Sequence, residues 1–149
     1  MPNKNEQTYS DVLEILKKRA TVDFNPRRIM IDYGTAFINA VSLHFPDAEI
    51  AGCFFHFSQC VWRHVQSTGL QKLYNTNIRF ALNVRMLMAL AFVPAKDVHN
   101  AFDELIRSTF YDENEEVLEP LISYVERTWI GVCSRSGKRR LKAYYSLDL

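Results

Sequence analysis

The sequence predicts an α/β fold that is mostly helical, ordered helix–strand–helix–strand and then helix alone. Three observations lead to it. Apolar residues recur at helical spacing near the start and through most of the second half. Two short apolar, partly β-branched runs, residues 29–31 and 49–53, read as strands. Beyond Cys53 the strand signal almost vanishes.

The elements follow in order. Val12, Leu13, Leu16 and Ala20 define a first helix, with Thr8 and Asp11 resembling a capping box in which Asp replaces the usual Glu. Asn25-Pro26 stops it, because the residue before a proline is pushed to extended backbone. Residues 29–31 (Ile-Met-Ile) form a buried strand that ends at Asp32. A helix then opens near Thr35, runs through Ala36, Val41 and Phe45, and closes at Pro46. The second strand covers roughly residues 49–53. Next comes a helix to about Thr68 with Gly69 as its stop. A helix through Ile78, Leu82, Arg85 and Ala89 follows, bounded by Pro94. Another carries Val98, Phe102, Leu105 and Ile106. The last follows the acidic stretch 112–119 and has Leu121, Tyr124 and Val125 on one side, with acids suited to the positive end of its dipole. Two strands joined by a crossover helix make one βαβ unit, and a lone strand pair is marginal without a larger sheet. The first part therefore reads as a piece of a sheet whose other strands lie outside this chain.

Composition excludes several classes. The chain has 149 residues, 48% hydrophobic and 13% aromatic, enough for one packed core. Five Gly and five Pro argue against fibrous or disordered chains. No apolar run reaches the roughly 18 residues that span a bilayer, so no membrane partner is expected. Residues 1–10 are polar and show no signal-peptide core. Three cysteines at irregular spacing make a disulfide framework a poor reading.

Charge is segregated. Residues 1–54 hold six Lys/Arg against seven Asp/Glu, and residues 55–93 hold four bases and no acid. Residues 94–126 hold two bases against nine acids, and residues 127–149 hold six bases against one acid. A partner meets local patches rather than the net charge of +1. The basic blocks either face phosphate or are solvated faces paired with the acidic block within the fold.

Three groups of residues carry chemistry. Asp32 sits where open α/β sheets place ligands, at the carboxyl end of a strand, and one carboxylate there suits a hard cation such as Mg²⁺. Alone, such an aspartate also serves as a turn or cap residue. Cys53, His56, Cys60 and His64 form C-x2-H-x3-C-x3-H, a spacing that invites zinc. If residues 56–64 are helical, about 12 Å of rise separates the two histidines, so both cannot reach one ion. Packed cysteines and hydrogen-bonded histidines are the simpler reading. Finally, Phe55, Phe57, Trp62, Tyr74, Phe80 and Phe92 interleave with Arg63, Lys72, Arg79 and Arg85. Aromatics beside cations can stack on bases and meet phosphate, although most of these rings are needed to fill a helical core.

Several of these residues together resemble the Mutator-like element (MULE) transposase domain. The run Ile29-Met30-Ile31-Asp32 is followed by Ala36, Ala40-Val41, Phe45-Pro46-Asp47-Ala48 and Gly52-Cys53-Phe54-Phe55-His56-Phe57-Ser58-Gln59. Leu70, Leu90-Ala91-Phe92-Val93-Pro94, Ala101-Phe102 and Tyr124-Val125-Glu126-Arg127-Thr128-Trp129-Ile130-Gly131 continue the similarity. The resemblance implies an incomplete RNase H-like core over residues 1–54, a helical insertion over 55–131 and a basic tail over 132–149. It implies DNA transposition in the nucleus by a DDE carboxylate triad with Mg²⁺ or Mn²⁺. Asp32 falls on the second aspartate of that triad, as a catalytic and metal-binding residue, and Cys53 and His56 fall on the CxxH motif near the active site. The first aspartate is expected upstream of Met1, and the glutamate has no counterpart in residues 129–149. Gly34 stands where the family usually has Glu. The expectation is a transposase fragment that is inactive alone and binds no metal stably, with DNA and the remaining transposase segments as partners. The alternatives are a DNA- or protein-binding module, with Arg63, Lys72, Arg79 and Arg85 as nucleic-acid contacts, or a non-functional gene remnant.

Overall fold

A computed structural model describes residues 5–20, 23–134 and 140–145, and its first element is helix α1 (Glu6–Arg19). The cap is Asn5 rather than Thr8: the Asn5 side chain accepts the Thr8 amide at 2.8 Å. An asparagine in extended backbone satisfies a donor that the first helical turn leaves without a partner. Lys17, Lys18 and Arg19 close the helix, where cations suit the negative end of its dipole.

Strand β1 (Arg28–Ile31), helix α2 (Thr35–His44) and strand β2 (Glu49–Gly52) form the expected crossover. The strands pair in parallel, with Arg28 opposite Glu49 and Ile31 opposite Gly52. Leu13 from α1 packs with Ala40, Val41 and Phe45, and Ile29 and Ile50 of the strands lie against this cluster. Alternation puts Met30 on the other face, where it is 66% exposed. Among the described residues the sheet has two strands, so each keeps one unpaired edge.

The chain divides into two units, Met1–His56 and Phe57–Asp148. Helices α3 (Phe54–Ser67), α4 (Gln71–Thr76), α5 (Ile78–Ala89), α6 (Val98–Ile106), α7 (Thr109–Glu113) and α8 (Glu115–Val125) follow β2. Gly69, with φ 77°, ends the turn after α3, a backbone region that glycine enters without steric cost. Helix α4 buries no residue, which is why it leaves no periodic trace in the sequence. The acids of residues 112–119 lie within α7 and α8 rather than ahead of a helix. Glutamate is a good helix former, and Glu115 and Glu116 fall in the first turn of α8. Phe80, Leu87, Phe102, Leu118 and Leu121 fill the core of this second unit.

The chain continues from α8 into a π-helical turn, Glu126–Ile130, and then doubles back. The Tyr144 and Tyr145 amides donate to the carbonyls of Arg127 and Thr128, and the Tyr145 ring stacks on Trp129. Gly131 has φ 98°, and a Cβ on it would sit 2.1 Å from the Leu141 carbonyl oxygen, so only glycine fits. Arg140 donates to Glu126 at 2.8 Å, to the Gly131 carbonyl at 2.5 Å and to Asp103, and lies over the Phe102 ring. Its side chain is 11% exposed. This arginine of the basic tail is therefore paired with the acidic block inside the fold.

Candidate active site

Parallel pairing brings Asp32 and Cys53 together. Ile31 and Gly52 are register partners, so the next residue on each strand leaves the sheet at the same carboxyl end. The Cys53 amide donates to the Ile31 carbonyl at 2.8 Å, extending the ladder to that point. His56 follows in the first turn of α3. Asp32, Cys53 and His56 line one open cavity of ≈ 430 Å³ with Tyr9, Met30, Ile31 and Phe37.

The turn after Asp32 is tightly built. Asp32 is exposed, and its Oδ1 accepts the Gly34 amide at 3.3 Å. The carboxylate therefore shapes the turn into α2, as aspartates after strands commonly do. A Cβ on Gly34 would lie 3.2 Å from that same oxygen. Tyr33 adopts φ 67°, the left-handed region, alone among the described non-glycine residues. Such a conformation costs on the order of 1–3 kcal/mol and persists where the surroundings impose it. Here they do: the Tyr33 ring lies across Gly52, where a Cβ would come 2.2 Å from the Tyr33 hydroxyl. The missing side chain of Gly52 is what admits the ring.

His56 Nδ1 is buried and has no hydrogen-bond partner among the described residues, while its ring meets Phe55 edge-on at 5.6 Å. His56 thus brings a buried ring nitrogen without a hydrogen-bond partner among the described residues to the cavity that the exposed Asp32 also lines. Tyr9 and Phe37, whose rings are 5.1 Å apart, form the apolar wall. Sequence reasoning did not single out Tyr9, Phe37, Tyr33 or Gly52 as site residues. Helical spacing from Tyr9 to Leu13 was the available signal for the first; a tyrosine at positive φ leaves none.

The other singled-out residues lie in the second unit. His64 stacks on Tyr124 at 4.1 Å, and its Nε2 is 3.1 Å from the Pro120 carbonyl, a packed and hydrogen-bonded histidine. Burial, before other causes, pushes the Tyr124 hydroxyl above the ordinary tyrosine range, with the Cys60 side chain among its neighbours. No group of three or more His, Cys, Asp or Glu among the described residues is placed to hold a metal ion. Arg63 on α3 and Lys72 on α4 are exposed, the former near Gln59. Arg79 pairs with Glu113 at 3.5 Å, and Arg85 donates to the Tyr74 hydroxyl at 3.0 Å.

A divalent-metal centre needs hard oxygen donors, and two-metal phosphoryl transfer needs several carboxylates around ions about 3.5–4 Å apart. Among the described residues, Asp32 is the single carboxylate lining this cavity. The described residues therefore do not fit a two-metal centre by themselves. Asp32 suits one ligand position in such a centre.

Residues 1–60 match the family model of the MULE transposase domain. No curated protein and no solved structure matches the chain. The match contains α1, both strands, Asp32, Cys53 and His56, and it stops within α3. No helix of the described residues is long and apolar enough to cross a membrane.

Proposed function

We propose, from a first unit similar to the MULE transposase domain, that this chain is a segment of a DDE-type DNA transposase and is inactive alone. In this reading the two-stranded sheet is part of an RNase H-like core. Asp32 is one carboxylate of the metal-binding triad, and Cys53 and His56 are the CxxH pair beside it. The observation that carries the reading is the position of Asp32: it ends a strand within the matched residues and shares its cavity with Cys53 and His56. The open sheet edges support it further, since a strand pair this short gains stability from more strands.

The role of each residue follows from its chemistry. Asp32 offers an oxygen donor at a strand end, pinned on one side by the Gly34 amide. The strained Tyr33 and the bare Gly52 hold that end of the sheet in one geometry. Bound divalent ions would supply Lewis-acid activation of the phosphodiester and of the attacking oxygen. The remaining carboxylates come from other transposase segments, and the parent protein acts on DNA in the nucleus.

The test is nicking of supercoiled DNA with Mn²⁺. The 149-residue chain alone is expected to leave the DNA intact. Supplying the polypeptide encoded by the flanking genomic sequence should restore nicking with the native chain and not with Asp32→Ala. Nicking by the isolated chain would overturn the inactivity. Restored nicking that survives Asp32→Ala would overturn the role given to that carboxylate.

A further inference from the structure

We propose that the solvent face of α5 docks an acidic amphipathic helix. This inference is independent of the Asp32 site and rests on the second unit alone.

Helix α5 turns Phe80, Ala81, Val84 and Leu87 into the core. The opposite face carries Ile78, Leu82 and Met86, one residue every four, which is a continuous stripe on a helix. Ile78 is 89% and Leu82 56% exposed, and Met86 is exposed too. A surface helix ordinarily puts polar side chains there, so an apolar stripe facing water marks a contact surface. The stripe borders a hollow of ≈ 380 Å³ between α4 and α5, lined by Tyr74, Asn75, Ile78, Ala81, Leu82 and Arg85. A concavity of that size receives a protruding side chain, which a flat lipid surface does not provide.

Charge identifies the occupant. At about 100° per residue, Arg79 and Arg85 fall on opposite sides of the stripe. Residues 55–93 contain no Asp or Glu. Arg79 meets Glu113 at 3.5 Å, with both side chains largely in solvent, so that pairing is weak and exchangeable. Arg85 is held by the Tyr74 hydroxyl and lies 5.7 Å from the centre of that ring. No carboxylate among the described residues pairs with it. An oriented guanidinium loses little freedom when a carboxylate arrives. The complement is a helix with apolar anchors every three or four residues and flanking Asp or Glu, the helix-in-groove mode of recognition. Duplex DNA would satisfy the two arginines but leave the apolar stripe without a partner.

The test uses the full chain and a fluorescent helical peptide of about four turns, with leucines on one face and glutamates on both flanks. Binding is expected for this peptide and not for its counterpart with lysine in place of glutamate. Leu82→Asp should weaken it at least about tenfold, and Arg85→Glu about threefold or more. Ile78→Asp, at the most exposed position of the stripe, provides a second variant that leaves the core untouched and should also weaken binding. Absence of binding to the acidic peptide, or equal binding by Leu82→Asp and Ile78→Asp, would overturn the proposal. So would a random duplex or phosphatidylserine vesicles binding through Leu82 in place of the peptide, which would assign the face to nucleic acid or lipid.

Discussion

The two units solve the same problem with unequal means. The second buries Phe80, Phe102, Tyr111, Leu87, Leu118 and Leu121 almost completely, from four different helices. The first rests on Leu13, Ala40, Val41 and Phe45, with Ile29 and Ile50 half-covered. Ile15 and Leu16 of α1 and Met30 of β1 remain largely in solvent. A helical unit can complete its core from local contacts, because each helix satisfies its own backbone. A parallel sheet needs neighbours on both edges and cover on both faces. The first unit has the cavity of the candidate site, and the second has the packing.

Four substitutions sharpen or break this contrast. Phe102→Ala should have the largest effect, about 3–5 kcal/mol, since it empties a fully buried site beneath Arg140. Urea denaturation would measure it, and a loss under about 1 kcal/mol would mean that this core does not hold the second unit. Gly131→Ala comes next, at about 2–3 kcal/mol, because it combines a positive φ with a clash against the Leu141 carbonyl. Limited proteolysis should then cut the tail after residue 131, and a tail that stays protected would show that the contacts of residues 140–145 do not depend on that glycine.

Tyr111→Phe should cost about 1–2 kcal/mol, since the hydroxyl donates to the Asn83 carbonyl at 2.8 Å inside the core. Burial raises the folded-state pKa of this phenol well above the ordinary tyrosine value of 10.0. The sign follows: above pH 10 the unfolded chain ionises first, so Tyr111 withdraws stability as pH rises there, and Tyr111→Phe should flatten that decline. Thermal melts at pH 8 to 11 would check it, and parallel curves for the two proteins would refute it. The smallest effect is Asn5→Ala, about 1 kcal/mol of helix capping in the first unit. Amide exchange should quicken in α1 and stay unchanged in α5; quickening in both would show that the two units unfold together.

Much of the fold was legible beforehand. Both strands, the crossover helix and the helices around Leu82 and Phe102 follow from spacing and from Pro26, Pro46 and Gly69. What escaped has physical causes. Asn5 competes with Thr8 for the cap, and either residue type can fill it. Ile78 and Leu82 have the spacing of a core face, yet the core takes Phe80, Val84 and Leu87, because a helix with apolar residues on two faces does not announce which one is covered. Of the candidate site, Asp32, Cys53 and His56 were visible as residue types at or just after a strand end; the walls of Tyr9 and Phe37 come from helices α1 and α2 and were not.

The sequence by itself determined the helix–strand–helix–strand order followed by helix alone, the segregation of charge and the acidic side chain after β1, since these depend on neighbours along the chain. Tertiary structure alone decided that Arg140 is enclosed by Asp103 and Glu126, that Tyr33 is forced to positive φ against Gly52, and that an apolar stripe on α5 faces water. Those outcomes depend on residues distant in sequence competing for the same space, and no local pattern records which of them wins.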